Sequence, residues 1–163
     1  MAHTILRAAT KEDAYYLSAR LRKEDLAELR ASSGMQPLPA LLAGMAQSVP
    51  HAWVLCEPYT GNPFLMGGIR PVEPFGIVWM LTTPAIERHA LTVQKEAKAM
   101  LRRVFTEQSY TALCNVVAAS NTRAVAWLKR LGFTFVHKNQ PIGQHGELFH
   151  TFAMPGGVPC ARL

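Results

Sequence analysis

Residues 121–133 read NTRAVAWLKRLGF, and they carry the clearest local structural signals in the chain. Ser120 and Asn121 have side chains that can cap the first amides of a helix, and Gly132 is the residue type that most often ends one. The pattern predicts a helix over residues 122–131 with both ends defined. The residues that follow alternate in polarity and predict a strand over 133–137.

Buried strands are predicted on both sides of this helix. Residues 76–81 and 111–117 are short apolar runs typical of strands inside a sheet. Between them, residues 87–107 repeat apolar side chains at helical spacing. A last strand over 148–153 follows a polar loop, so this half of the chain reads as a strand, helix and strand crossover followed by a helix and a hairpin.

The first half of the chain predicts a strand, two helices and a hairpin. A strand over 4–9 leads into one helix from Lys11 to about Ser32, with Thr10 as its cap and Arg20, Lys23, Glu24 and Glu28 among its solvent-side charges. Ser33 and Gly34 end it, and a second helix follows Pro37. Strands over 52–56 and 64–70 flank a turn at 59–63. We expect one domain over 1–154 and a loose tail over 155–163.

Composition sets wide limits on function. The 163 residues are 49% hydrophobic and 17% charged, which suits one core. The net charge of +6 favours anionic partners without identifying one. No apolar run reaches the roughly 20 residues of a membrane span, and no secretion signal is visible, so we expect a soluble, unsecreted chain without membrane partners. Its three cysteines are widely spaced, which favours neither disulfides nor a metal site.

The element order and the 121–133 stretch together resemble the GNAT acetyltransferases. The matching signature is an Asn, an Ala three residues later and a Leu-Gly-Phe ending, and the resemblance covers residues 4–154. It implies an α+β fold with a mixed, mostly antiparallel central sheet of six to seven strands. About four helices would cover both faces of this sheet.

Within that superfamily the chain is similar to phage proteins related to internal virion protein A of T7-like podoviruses. Residues 4–21, 79–83, 87–89 and 121–133 carry this resemblance. It implies a role in virion assembly, with other phage virion proteins as partners and a possible homo-oligomer within a particle. The location it implies is the virion or the cytoplasm of the infected bacterium.

The resemblance also indicates where acetyl-CoA would bind. GNAT enzymes hold it between their fourth and fifth strands, with the pyrophosphate on the next helix. If this chain binds acetyl-CoA, the cofactor-binding residues are Leu81, Thr83, Arg88, His89 and Asn121. However, Leu91 and Val93 stand where the phosphate loop has small residues, and no glycine lies between Gly76 and Gly132. We therefore expect no cofactor, with acetyl-CoA as the alternative.

No catalytic residue is assigned from the sequence. The position matching the usual general-acid Tyr is Leu128, and the indole of neighbouring Trp127 is no useful proton donor. Glu73, Glu87 and His89 show no partner that would tune them as a base. Two hypotheses follow: a virion structural protein on a GNAT-like scaffold, or an N-acetyltransferase with a degenerate cofactor loop.

The remaining chemical candidates favour structural roles. Cys114 lies in an apolar run and is expected to be a small buried residue. His145 and His150 lack the ligand spacing of a zinc site. The basic residues of the two long C-terminal helices belong to no binding motif, so we expect no sequence-specific nucleic-acid binding. If the cleft between the strands is empty, Leu91, Val93 and Trp127 are predicted to fill it.

Overall fold

The computed structural model describes residues 3–156, in which seven strands and five α-helices form an α+β fold. The strands are β1 (Ile5–Ala8), β2 (Ala52–Cys56), β3 (Pro63–Val72), β4 (Phe75–Thr82), β5 (Ala112–Ala118), β6 (Thr134–Gln140) and β7 (Phe149–Pro155). The helices are α1 (Lys11–Ser18), α2 (Lys23–Ser32), α3 (Pro37–Gln47), α4 (Ala90–Glu107) and α5 (Thr122–Leu131), and a 3-10 helix spans Pro84–His89.

All seven strands join one sheet in the order β1-β2-β3-β4-β5-β7-β6. Every neighbouring pair is antiparallel except β4 and β5, which are parallel. The chain between β4 and β5 runs through the 3-10 helix and α4, as a parallel connection requires. The mixed, mostly antiparallel sheet predicted from the sequence is confirmed.

Helices cover both faces of the sheet. Successive residues of a strand point to opposite faces, so Val54 of β2 packs with α1 and α3 whereas Leu55 packs with Val93 of α4. The core under α1, α2 and α3 is centred on Leu17, Leu41, Val54 and Met66. The core under α4 and α5 is centred on Val104, Leu113, Leu128 and Phe152.

The single helix predicted from Lys11 to about Ser32 is wrong, because residues 19–22 separate α1 from α2. The N–H of Arg22 donates to the Thr82 carbonyl, 2.9 Å away at the end of β4, and Arg22 has extended backbone angles. A long-range hydrogen bond therefore replaces the helical one. This division makes five α-helices rather than about four. The predicted cap of α1 is present, since the Asp13 N–H donates to Thr10 Oγ1.

The predicted helix over 122–131 is confirmed at both ends. The Ala124 N–H donates to Asn121 Oδ1 at its start. At its end Gly132 has φ +105°, and the Phe133 N–H donates to the Leu128 carbonyl. This pairing satisfies a carbonyl that the helix leaves open.

The last described residues belong to the sheet. β7 includes Pro155, and the Gly156 N–H donates to the Thr111 carbonyl at 2.8 Å. The rest of the tail predicted over 155–163 lies outside the described residues. No helix within residues 3–156 is long and apolar enough to cross a membrane.

We predict that Gly132→Val lowers the free energy of unfolding by more than about 1 kcal/mol, because a β-branched residue is strained at positive φ. Gly132→Asn should cost less, since Asn tolerates this region better. Urea denaturation with a linear fit measures both. Equal midpoints for Gly132→Val and the wild type would show that the left-handed end does not matter to stability.

Candidate functional site

A cleft opens where β4 and β5 separate. The two strands pair only through residues 75–77 and 112–114. Beyond that point the Asn115 side chain lies between them: its Nδ2 donates to the Val78 carbonyl at 2.6 Å, and its Oδ1 accepts from the Val116 N–H at 2.7 Å. One side-chain amide thus replaces the next rung of the ladder and fixes the point at which the strands diverge.

Backbone groups of β4 face this cleft. Strand alternation places the N–H and C=O of Val78, Met80 and Thr82 on the side of β4 toward β5. The contacts of Val78 with Asn115 and of Thr82 with α2 agree with this orientation. Within the described residues β5 offers Met80 no partner. The edge at Met80 can therefore bind an amide from outside the chain.

Charged residues of α2 close the cleft where β4 ends. Asp25 Oδ2 accepts from the Thr82 N–H at 2.7 Å and from Thr82 Oγ1 at 2.8 Å. Asp25 Oδ1 accepts from Arg22 Nη2 at 3.0 Å. Asp25 is 6% exposed, so these bonds compensate a buried carboxylate. Arg22 Nε is buried with no hydrogen-bond partner among residues 3–156.

Glu28 lies on the opposite side of the cleft from this contact. It was predicted among the solvent-side charges, and this is wrong: the residue is half-buried. Its Oε2 accepts from the Ala118 N–H at 3.3 Å and from Asn121 Nδ2 at 3.2 Å. The helix divides before Arg22, which places α2 across the ends of β4 and β5 and turns Glu28 inward.

Opposing effects act on the pKa of Glu28. Burial raises the pKa of Glu28 above its ordinary value. Hydrogen bonds from Asn121 and Ala118 lower this pKa, the nearby Asp25 carboxylate raises it and the Arg22 guanidinium lowers it, and the net direction is upward. A carboxyl with this shift holds a proton more readily near neutral pH than an exposed one.

Two of the five sequence-predicted cofactor residues lie beside the cleft. Asn121 is 7% exposed and joins the cap of α5 to Glu28. Leu81 follows Met80, but its backbone pairs with Met66 of β3 and its side chain packs under α1 to α3. Asn121 thus faces the cleft, whereas Leu81 contributes to its wall.

Thr83 begins the 3-10 helix that follows β4. The sequence predicted an α-helix from about Glu87, whereas a 3-10 helix covers Pro84–His89 and α4 starts at Ala90. The Ala85 N–H donates to Thr83 Oγ1 and the Ile86 N–H to the Thr83 carbonyl. Because Pro84 has no N–H, these bonds leave little free donor capacity in the first turn.

Arg88 and His89 are brought together with a carboxylate that sequence reasoning did not single out. Arg88 Nη2 lies 2.5 Å from Glu57 Oε1, and His89 Nε2 lies 3.6 Å from the same atom. The Arg88 guanidinium holds the pKa of Glu57 below its usual range. The His89 ring also stacks on Phe64, with centroids 4.6 Å apart. An anion at Arg88 would therefore have to replace Glu57.

A second ion pair links the 3-10 helix to α5. Arg123 Nη1 donates to Glu87 Oε1, and both side chains are exposed. Glu87 was one of the three groups considered as a base, and this pairing places it at the surface. Exposed pairs of this kind contribute little stability and can exchange partners.

The predicted fillers of the cleft behave differently from one another. Leu91 is 86% exposed and fills no interior space, so this prediction is wrong for Leu91. It lies in the first turn of α4, on the side away from the sheet. Val93 is buried against Leu55 and Phe64, and Trp127 packs partly against the same cluster. Leu128, at the position of the expected Tyr, is buried in the core.

Sequence reasoning missed Asp25, Glu28 and Asn115. Asp25 and Glu28 are spaced i and i+3, which puts them on one helix face. That signal was present but was outweighed by the apolar stripe assigned to a longer helix. Asn115 is the one residue with a side-chain amide in an otherwise apolar run. A polar residue in a buried strand needs a partner, and this was the available sign of an interrupted ladder.

No protein-family model matches the chain. No curated protein matches it either. Several solved structures do, and the share of both chains covered is high. A GNAT superfamily phosphinothricin acetyltransferase from Sinorhizobium meliloti, in complex with acetyl-CoA, is similar with a TM-score of 0.70 and 14% identity, covering 100% of this chain and 93% of that one.

Two further structures show the same likeness. The ribosomal-protein-S18-alanine N-acetyltransferase from Escherichia coli has a TM-score of 0.66 at 16% identity, with 99% of each chain covered. A GNAT-family acetyltransferase from Bacillus anthracis has a TM-score of 0.69 at 11% identity, with 96% and 97% covered. The chain has the GNAT fold, as predicted, and identities this low show the fold alone.

We predict that Asp25→Asn lowers the free energy of unfolding by about 1–3 kcal/mol, because an amide nitrogen replaces one of the acceptor oxygens that bind Thr82 and Arg22. Glu24→Gln, one residue earlier on α2, is the matched control and should stay within about 0.5 kcal/mol of the wild type. Urea denaturation compares them. A shared midpoint for Asp25→Asn and the wild type would contradict a tether between α2 and β4.

A second prediction concerns pH. The pKa of Glu28 is raised in the folded chain. When the pH exceeds the ordinary pKa of Glu, the unfolded chain has therefore released this proton while the folded chain still binds it. The stability contributed by Glu28 is therefore greatest below that value and is lost as the pH rises through the folded pKa. Glu28→Gln removes this loss.

Urea denaturation from about pH 4 to about pH 8 tests the pH dependence expected from Glu28. The stability of the wild type relative to Glu28→Gln should fall across this range. A flat difference for Glu28→Gln would mean that Glu28 titrates as an exposed carboxyl does.

Proposed function

We propose that this chain is an acetyl-CoA-dependent N-acetyltransferase that holds its donor in the cleft between β4 and β5. The observation that carries the proposal is the open edge at Met80, with Asn115 at the closed end of the cleft and Glu28 and Asn121 at the other. The pantetheine arm of acetyl-CoA has two amides, and an open strand edge binds amides by the hydrogen bonds of a sheet. The likeness to acetyltransferase structures, one of them in complex with acetyl-CoA, supports the same reading.

Side chains rather than a glycine loop would bind the phosphates. Arg88 and His89 converge on the Glu57 carboxylate, and a phosphate oxygen can take the place of that carboxylate oxygen on Arg88. The Arg88 side chain is 67% exposed, so the exchange costs little. Thr83 and the 3-10 helix use their own amides and contribute less.

The acceptor amine would reach the acetyl group from the side of α2. The cleft is bounded there by Asp25, which is paired with Arg22, and by Glu28, whose carboxyl can accept a hydrogen bond from an amine. Two of the similar structures are a ribosomal-protein-S18-alanine N-acetyltransferase and a phosphinothricin acetyltransferase. A peptide with N-terminal alanine and phosphinothricin are therefore the first two acceptors to try.

We predict that acetyl-CoA binds the purified protein and that Arg88→Gln weakens this binding by about tenfold, the loss of one charge-assisted contact. Isothermal titration calorimetry gives the Kd, and release of the CoA thiol in the presence of each acceptor gives turnover. Arg103→Gln is the matched control, because Arg103 also forms an exposed ion pair, with Glu107, at 2.6 Å.

Arg103→Gln should bind acetyl-CoA like the wild type. No heat of binding at millimolar acetyl-CoA would overturn the enzyme proposal. Equal weakening by both substitutions would show that only general charge, and not the position of Arg88, is involved.

We also propose a second candidate, a non-catalytic component of a phage particle on the same scaffold. Two features favour it: Leu128 is buried where a general-acid Tyr is expected, and the region after β4 has no glycine to admit a phosphate. In this case the chain would bind other virion proteins, with self-association inside the particle, and would lie in the virion or in the cytoplasm of the infected bacterium. Mass spectrometry of purified particles, together with the calorimetry above, separates the two candidates.

A further inference from the structure

We propose that Glu28 is the general base that takes the proton of the acceptor amine. This assignment rests on the proposed function and goes beyond it, because it names the residue that moves a proton. Glu28 stands on α2, at the side of the cleft from which the acceptor would approach.

The carboxyl of Glu28 is held in place by one oxygen only. Oε2 accepts from the Ala118 N–H and from Asn121 Nδ2. Oε1 makes no hydrogen bond to any part of the chain that the structure describes. One oxygen therefore fixes the orientation, and the other is available to a ligand.

Groups from three elements act on the pKa of Glu28. Asp25 of α2 and Arg22 just before it act with opposite charges. Ala118 of β5 and Asn121 at the start of α5 donate hydrogen bonds. Burial outweighs these bonds, so the pKa of Glu28 lies above its ordinary value. A base with a pKa nearer the working pH accepts a proton with a smaller free-energy cost.

The other groups considered as a base lie elsewhere. Glu87 is exposed and paired with Arg123, and His89 lies between Phe64 and Glu57. Glu73 is exposed in the turn between β3 and β4. Of these candidates, Glu28 alone reaches the backbone where β5 leaves the cleft.

The reaction balances without a further reactant. The nitrogen of the neutral amine attacks the thioester carbonyl carbon and forms the C–N bond. One N–H proton passes to Glu28 as the C–S bond breaks, and the sulfur leaves with the bonding electron pair. The thiolate takes a proton from water, Glu28 returns its proton to water, and an amide and free CoA thiol remain.

Kinetics of Glu28→Gln test the assignment, because Gln keeps the size of the side chain and an oxygen for the Ala118 N–H. We expect kcat/KM with the acceptors above to fall by at least about 100-fold. The decline of wild-type kcat/KM toward acid pH should disappear. Acetyl-CoA should bind the variant with a Kd within about threefold of the wild type, since Glu28 is not assigned to the donor.

Chemical rescue separates a base from a structural role. Glu28→Ala with added sodium formate should regain activity in proportion to formate concentration, whereas sodium chloride should restore none. Glu24→Gln on the same helix should keep the activity and pH profile of the wild type.

Four results would overturn the assignment. Glu28→Gln could retain kcat/KM within about threefold of the wild type or keep its acid limb, and in either case Glu28 is not the base while the enzyme proposal stands. Glu28→Ala without rescue by formate, but with normal acetyl-CoA binding, would assign Glu28 to positioning. A wild type that binds no acetyl-CoA would remove the proposed function and this assignment together.

Discussion

The insertion of the Asn115 side chain between β4 and β5 is the constraint on which the rest of the site depends. Two parallel strands in register would continue to pair, since each unpaired buried N–H or C=O costs free energy. Asn115 satisfies Val78 on one strand and Val116 on its own, so the ladder can stop after three residues without orphaned groups at the fork. The strands diverge from there, and a cleft forms inside a continuous sheet.

Where β4 and β5 diverge, their backbone groups need hydrogen-bond partners from elsewhere in the chain. Thr82 of β4 and Ala118 of β5 no longer reach each other, and α2 supplies both partners, Asp25 for Thr82 and Glu28 for Ala118. For this α2 must begin at the level of Thr82, and the bond between Arg22 and the Thr82 carbonyl sets that start. The break between α1 and α2 and the polarity of the site are thus consequences of one geometric requirement.

The sequence was sufficient where signals are local. Asn121 and Gly132 defined α5 because a capping side chain and a left-handed glycine act within one helix turn. The turn around Gly61 and the strands beside it were predicted for the same reason. The break at residues 19–22 was not, because it contains neither Gly nor Pro and is stabilised by an atom of β4, 60 residues away in the chain (82 − 22).

The difference between local and long-range signals also explains which residues of the candidate site could be predicted. Arg88, His89 and Asn121 were predicted from the family resemblance; Asn121 lies beside the cleft, whereas Arg88 and His89 lie against Glu57. Glu28 and Asp25 were not found, because on α2 they look like ordinary charges of an exposed face. Only the position of β5 makes Glu28 half-buried, and no helical periodicity contains that information.

The absence of glycines after β4 bears on how an anion could bind there. Glycine in a phosphate loop gives backbone amides close access to an anion. Here Thr83 accepts from the amides of Ala85 and Ile86, so these two donors of the first turn after β4 are already used. Leu91 is turned to solvent. In the proposed function the Arg88 guanidinium binds the phosphate, and its present partner is Glu57. A phosphate bound by Arg88 would compete with Glu57, and its binding would weaken as the salt concentration rises, because exposed ion pairs are screened by salt. Binding by backbone amides would depend less on salt. In the proposed function, phosphate binding would therefore depend on a side-chain contact whose strength varies with the ionic strength.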